Sequence, residues 1–315
     1  MLWKALLPAF VLAAIAGFAL GTAGAGPRAL ADTPTPGVDI GAVPMFPKSL
    51  GVDGLDAYRG AGAWVDMYDP PELGNPWPAL VEMRDHGVRT LYLETASWRV
   101  PKALDMKDEE AVDLFLDQAH ALGMKVVAWY LPGLDDLRTD LRRSRAVLDH
   151  RTPRGGQGFD GFAVDIESQR VGPVGARNAA LERYSRRLRG MAGRSYALGA
   201  IVPDLRSTTV TPGLWPGFPY RSMAKLYDVF LPMAYSSIRG HGASYVYSYS
   251  RTNVSTLRSL TGKPVHLIGG LSDSLGPGEH AAVVRGARDG GAIGASFYDF
   301  AIGQDDTWRA LRLLR

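Results

Sequence analysis

The stretch FDGFAVDIES, Phe159 to Ser168, sets Asp165 and Glu167 two apart in an otherwise apolar run. Side chains alternate across a strand, so Phe162, Val164 and Ile166 share one side while Ala163, Asp165 and Glu167 share the other. The first set suits packing beneath helices. The second, apolar early and acidic late, suits a strand whose inner face opens onto a cavity at its C-terminal end.

Seven further short runs, rich in β-branched and aromatic residues, have the same character: GAWVDMYD (62–69), VRTLYLET (88–95), KVVAWYLPG (125–133), YALGAIVPD (196–204), DVFLPMAYS (228–236), PVHLIGGLS (264–272) and IGASFYDF (293–300). Between them lie helical patterns such as PWPALVEMRDHG, DEEAVDLFLDQAHALG, ARNAALERYSRRLRGMAG and GEHAAVVRGARDGG, and TWRALRLL follows the last run. Gly87, Gly123 and Gly193 stand where left-handed caps end helices before strands. Eight strand-helix units in roughly 255 residues match the count and length of an α/β fold of the (β/α)8, or TIM barrel, type; a doubly wound open sheet is the alternative.

A barrel predicts functional residues at the C-terminal ends of its strands, and acids and aromatics gather there. The expected inward set comprises Trp64, Asp66 and Tyr68 from strand one, Tyr92 and Glu94 from strand two, and Asp165 and Glu167 from strand four; Trp129 closes strand three with Tyr130. Met233 and Tyr235 close strand six, and Tyr298 and Asp299 close strand eight. Strand beginnings carry few acids, Asp160 and Asp228 being exceptions. Carboxyls buried together resist joint ionisation, so at least one holds its proton. A protonated carboxyl beside an ionised one is equipment for glycosidic cleavage, and aromatic rings suit the apolar faces of sugars. A polysaccharide or glycan is the expected substrate.

Asp160 to Glu167, DGFAVDIE, resembles the strand-four DGxDxDxE signature of the family 18 glycoside hydrolases, the chitinases and endo-β-N-acetylglucosaminidases. Asp160, Gly161, Asp165 and Glu167 match, and Ala163 stands where that family has its middle aspartate. LPMAYS (231–236) is similar to the family's strand-six Met-x-Tyr-Asp segment through Met233 and Tyr235, with Ser236 replacing the aspartate. The resemblance implies Glu167 as general acid and Asp165 as the partner that holds and polarises an N-acetyl group, whose oxygen is the nucleophile. It implies Tyr235 as a hydrogen-bond donor to that group and Tyr298 in place of the tryptophan that floors the sugar subsite. Asp66, Tyr68, Glu94, Trp129, Met233, Tyr235, Tyr298 and Asp299 form the expected substrate-binding set. Glu94 or Asp66 could partner Glu167 on substrates without an N-acetyl group. A carbohydrate-binding barrel without turnover is the alternative function, and Asp165 and Glu167 paired with Arg99 or Arg206 in a salt-bridge network is the structural alternative.

The N-terminus reads separately. After Lys4, an apolar run extends without charge to Arg28, and Ala29-Leu30-Ala31 has the small-x-small form of a cleavage site. Residues 1–31 are therefore expected to be a signal peptide of an exported, secreted protein, or alternatively a membrane anchor through residues 5–26 with the barrel outside. Residues 32–61 are Pro- and Gly-rich linker and lead-in, and 62–315 the barrel. The chain of 315 residues has no cysteine, which excludes disulfides, thiolate metal sites and a cysteine nucleophile. Net charge is +3, with RTDLRRSR (138–145) read as a solvated helix face; no basic stripe interleaved with aromatics points to nucleic acid. Scattered histidines without an HExxH pair give no zinc site. No metal and no cofactor are expected, and a monomer suffices.

Overall fold

The computed structural model describes residues 54–68, 70–209 and 213–314. The expected signal or anchor and most of the lead-in lie outside the described residues, and no described helix is long and apolar enough to cross a membrane. Eight parallel strands close into a barrel in sequence order: β1 Gly60–Val65, β2 Thr90–Ser97, β3 Lys125–Leu131, β4 Gly161–Asp165, β5 Leu198–Pro203, β6 Val229–Met233, β7 His266–Leu271 and β8 Gly294–Tyr298. Among the described residues, seven helices of seven or more residues surround it: α1 Pro76–Asp85, α2 Glu109–Ala121, α3 Leu137–Asp149, α4 Val174–Ala192, α5 Ala243–Thr261, α6 Glu279–Asp289 and α7 Asp305–Leu311. Every expected strand is present, each shorter than its apolar run except β2, which has the same length and lies two residues later. β1 starts two residues early, inside the expected lead-in. Among the described residues between β5 and β6 only short helical turns occur, Leu205–Thr209 and Tyr220–Met223; Pro216, Gly217 and Pro219 interrupt a longer helix.

The caps follow their chemistry. Gly87, Gly123 and Gly193 have φ of +86°, +72° and +75°. Asp108 accepts the Ala111 amide at 3.0 Å to start α2, and Asp136 accepts that of Thr139 at 3.2 Å to start α3.

Alternation along the strands builds two cores. Val65, Leu91, Leu93, Phe162, Val164 and Ile166 pack outward against the helices, whereas Trp64, Tyr92, Trp129, Ala163, Met233 and Tyr235 fill the barrel. The floor comes from outside the strands. Tyr58, on the turn Leu55–Tyr58, is fully buried, and a Cβ at Gly161 or Gly199 would stand 2.9 Å from its ring system. Large rings need small neighbours here: a Cβ at Gly62 would meet Tyr92 at 2.6 Å.

In the floor, His266, Ser296 and Trp64 form a hydrogen-bonded chain. His266 Nδ1 lies 2.9 Å from the Tyr58 carbonyl and Nε2 3.0 Å from Ser296 Oγ, which also accepts Trp64 Nε1–H at 2.8 Å. A neutral imidazole donating from Nδ1 and accepting at Nε2 fits these partners, and burial pushes the His266 pKa down to about 4. Trp64 stacks on Tyr92 at 4.2 Å above this layer and carries the packed floor up to the mouth.

The two acids at strand beginnings are structural. Asp160 accepts from the Val126 amide at 2.9 Å, Lys125 Nζ at 2.9 Å and His120 at 2.8 Å. Asp228 accepts from the Leu198 amide at 2.9 Å and Arg189 at 2.6 Å. Each ties its strand to the preceding strand and helix. The first acid of the DGxDxDxE-like segment thus lies at the opposite end of β4 from Asp165.

Candidate active site

β4 ends at Asp165, with Glu167 just beyond it. Asp165 is 4% exposed and its Oδ2 accepts Trp129 Nε1–H at 3.0 Å. Trp129 is in register with Ala163 across β3 and β4, so the indole reaches the carboxylate over the smallest side chain on that face. Asp165 Oδ1 and Glu167 Oε2 are buried without a hydrogen-bond partner among the described residues. Burial, followed by the neighbouring Glu167 charge, raises the Asp165 pKa well above the usual carboxylate range, and the indole bond and Arg99 oppose that rise. Burial also raises Glu167, against the pull of Arg99. No ion pair joins either acid to Arg99 or Arg206 among the described residues, so the salt-bridge network is not formed.

Glu94 enters from β2, whose register with β3 slips between Glu94 and Ala96, a bulge that re-aims side chains at the strand end. Its Oε2 accepts the Met67 amide at 3.3 Å. Burial, with Asp66 nearby, pushes its pKa up to about 8. Asp66 lies behind this layer, with Oδ1 accepting the Tyr68 amide at 2.7 Å and Oδ2 accepting the Tyr298 hydroxyl at 2.7 Å. Both oxygens are occupied by groups that shape the wall.

The three acids Glu94, Asp165 and Glu167 share one cleft with Trp64, Tyr68, Trp129, Met233, Tyr235 and Tyr298, and with Arg99, Leu131, Ile201 and Ile268. Counted out to open solvent, it spans about 670 Å³. Trp129 meets Trp64 and Tyr298 edge-on at 5.3 and 5.9 Å. Burial, then Asp165 and Glu167, raises the Tyr235 phenol well above its ordinary value, so it stays a hydrogen-bond donor.

Eight of the ten expected site residues therefore meet at one cleft; Asp66 and Asp299 stand outside its lining. Asp299 Oδ1 accepts the Ile302 amide at 3.2 Å and holds the turn after β8. Asp204 does likewise for Ser207, at 2.7 Å, and pairs with Arg239 at 3.0 Å. Among the described residues no group of three or more His, Cys, Asp or Glu side chains could hold a metal ion.

Two arginines carry more than the sequence disclosed. Arg99 lies on the cleft wall, and Arg143, expected on a solvated face, is 1% exposed. Its guanidinium donates to the carbonyls of Ser97, Val100, Pro101 and Leu104 at 2.7 to 3.1 Å. Only its place three residues beyond Asp140, which is also buried, marked it as facing inward.

The chain matches no family model and no curated protein. Solved structures share its fold. The endo-β-1,4-mannanase of Thermotoga petrophila superposes with a TM-score of 0.62 at 11% identity, over 81% of this chain and 76% of that one. The spore cortex-lytic enzyme SleL of Bacillus cereus gives 0.59 at 10% identity, over 81% and 74%. The family 18 chitinase of Cycas revoluta, in complex with (GlcNAc)3, gives 0.56 at 13% identity, over 81% and 98%. The fold is thus that of the (β/α)8 barrels, and among the proteins that share it are glycoside hydrolases of several specificities.

Proposed function

We propose that the chain is an exported glycoside hydrolase that cleaves a polysaccharide or glycan, with Glu167 as general acid and Asp165 as its partner. The observation that carries this is the pair of carboxyls at the end of β4, each with a buried oxygen that has no hydrogen-bond partner among the described residues, in a cleft walled by aromatic rings. Glu167, its pKa raised by burial, retains a proton for the leaving oxygen as the glycosidic bond breaks. Where the sugar bears an N-acetyl group, Asp165 and the Tyr235 hydroxyl hold it so that its carbonyl oxygen attacks the anomeric carbon. Water then opens the resulting ring, giving its proton to Glu167 as base. Similarity to barrels described as a chitinase and a cortex-lytic enzyme supports this substrate range.

Ala163 favours a second reading, a carbohydrate-binding barrel without turnover, because the inner acid of the family 18 pattern is missing. Release of reducing ends from chitin, peptidoglycan and α- and β-glucans separates the two. As a hydrolase, the wild type releases them from at least one, and Glu167→Gln lowers kcat by about 10³-fold or more while binding persists. Binding without release by the wild type overturns the enzyme in favour of the binding barrel.

A further inference from the structure

Arg99 is the one cation among the described residues lining the cleft. Nearby cations are engaged elsewhere: Lys102 with Asp136 at 2.6 Å, Arg142 with Asp105 at 3.1 Å and Arg170 with Asp135 at 2.6 Å, while Lys107 donates to the Met67 carbonyl and lies over the Tyr68 ring. Arg99 has no such partner among the described residues. Its guanidinium lies 4.6 Å from the centre of the Trp98 ring, a contact that holds the group without consuming its fork of N–H donors.

The segment bearing Arg99 is fixed at unusual cost. Trp98 N donates to Leu131 O at 2.9 Å and Val100 N to Ser97 O at 3.0 Å. Arg143 then bonds the carbonyls of Ser97 and Val100, on either side of Arg99, at 2.7 Å each. Burying a guanidinium with only neutral acceptors is expensive, and what it secures is the position of the Trp98–Arg99 pair at the rim. Such preorganisation serves a ligand, since a merely solvated arginine needs none. Glu94, held protonated up to about pH 8, does not cancel the positive charge.

We propose that Arg99, presented by Trp98, is a subsite for a carboxylate on the glycan, so that the substrate class is a polymer containing uronic acid or lactyl-ether sugars. The carboxylate takes two parallel N–H bonds from the guanidinium and places an acidic sugar beside the one that Asp165 and Glu167 engage. The subsite rests on the glycoside hydrolase reading for its reaction, though not for its binding.

The test uses uronate polymers and peptide-free peptidoglycan strands, each paired with a counterpart whose carboxylates have been reduced to alcohols. Turnover is read as kcat/KM for the wild type, and binding as Kd for Glu167→Gln by calorimetry. The acidic member of one pair is expected to be favoured by about 10- to 100-fold. Which polymer shows the preference separates the uronate from the lactyl source. In Arg99→Gln, measured for turnover alone and for binding on the Glu167→Gln background, the ratio falls to within about threefold; Arg99→Lys retains part of it. Equal use of both members, or a ratio that survives Arg99→Gln, overturns the subsite. An arginine that only tunes the acids would shift the pH profile alike for both members and leave the ratio standing, which also overturns it. Preferential binding without release of reducing ends keeps the subsite and overturns the hydrolase. Hydrolysis without preference does the reverse, and failure to bind any member overturns both.

Discussion

Trp129 Nε1 donates to Asp165 Oδ2 at 3.0 Å from a residue in register with Ala163. An indole N–H is a donor only, so the oxygen it touches acts as acceptor and any proton on Asp165 sits on Oδ1, the unpartnered oxygen. Where the family 18 pattern has an inner carboxylate that could exchange a proton with its neighbour, this barrel has a group that cannot accept one. Asp165 can trade its proton only toward the cleft.

Trp129→Phe keeps the ring and deletes the donor. Because that bond favours the ionised form, its loss raises the Asp165 pKa further. A drop in kcat of about 10- to 100-fold is expected, with KM changed less than about threefold. The acid limb of the kcat profile should move to higher pH. A variant that loses substrate affinity with an unmoved profile would show Trp129 to be a wall residue alone.

Glu94 makes a contrary contribution to stability. Its pKa is about 8 in the folded chain against 4.5 as the reference for the unfolded one, so between these values the folded state binds more protons and stability falls as pH rises. Glu94→Gln keeps an acceptor for the Met67 amide and removes the titration. Urea unfolding should show the variant gaining on the wild type from pH 5 to pH 8, by at most about 5 kcal/mol. A stability difference that does not vary with pH would show Glu94 to be ionised in the cleft.

The barrel was legible because its signals are local. Alternation in FDGFAVDIES separates Phe162, Val164 and Ile166 from Ala163, Asp165 and Glu167 without reference to any other segment; the same rule placed Glu94, and position at the strand ends placed Trp129 and Tyr298. What escaped depends on contacts distant in sequence. Asp66 reads like its neighbours until Tyr298, 232 residues away, takes one of its oxygens. Arg143 sits in an arginine-rich helix, and only carbonyls some 40 residues upstream turn it inward. Tyr58 lies in a lead-in without period, and its role as a floor requires glycines from β4 and β5.

Arg143 offers a direct check on the rim. Arg143→Met fills the volume but removes the guanidinium's bonds to four carbonyls of residues 97–104, of which Ser97 O and Pro101 O keep the Val100 and Leu104 amides. The expected cost is about 2 to 4 kcal/mol in global stability. Hydrogen exchange should speed up at the Val100 and Leu104 amides, which bond within this loop. Unchanged protection there would mean that the loop is held without Arg143.

Gly161, the glycine of the Asp-Gly pair that opens β4, is explained by the floor. A Cβ there would lie 2.9 to 3.1 Å from three atoms of Tyr58 and from no other side chain so closely, so Gly161→Ala overpacks the barrel by about 1 to 3 kcal/mol. Tyr58→Leu alone opens space and costs about 2 to 4 kcal/mol. Because one clash underlies the first cost, the two should not add: in the Tyr58→Leu background, Gly161→Ala should cost under about 0.5 kcal/mol. Gly199→Ala should recover less in that background, since its Cβ would also meet Leu231 at 2.9 Å. A double-mutant cycle by chemical denaturation measures both couplings. Additive costs for Gly161 and Tyr58 would place the glycine's requirement in the strand backbone rather than in the tyrosine beneath it.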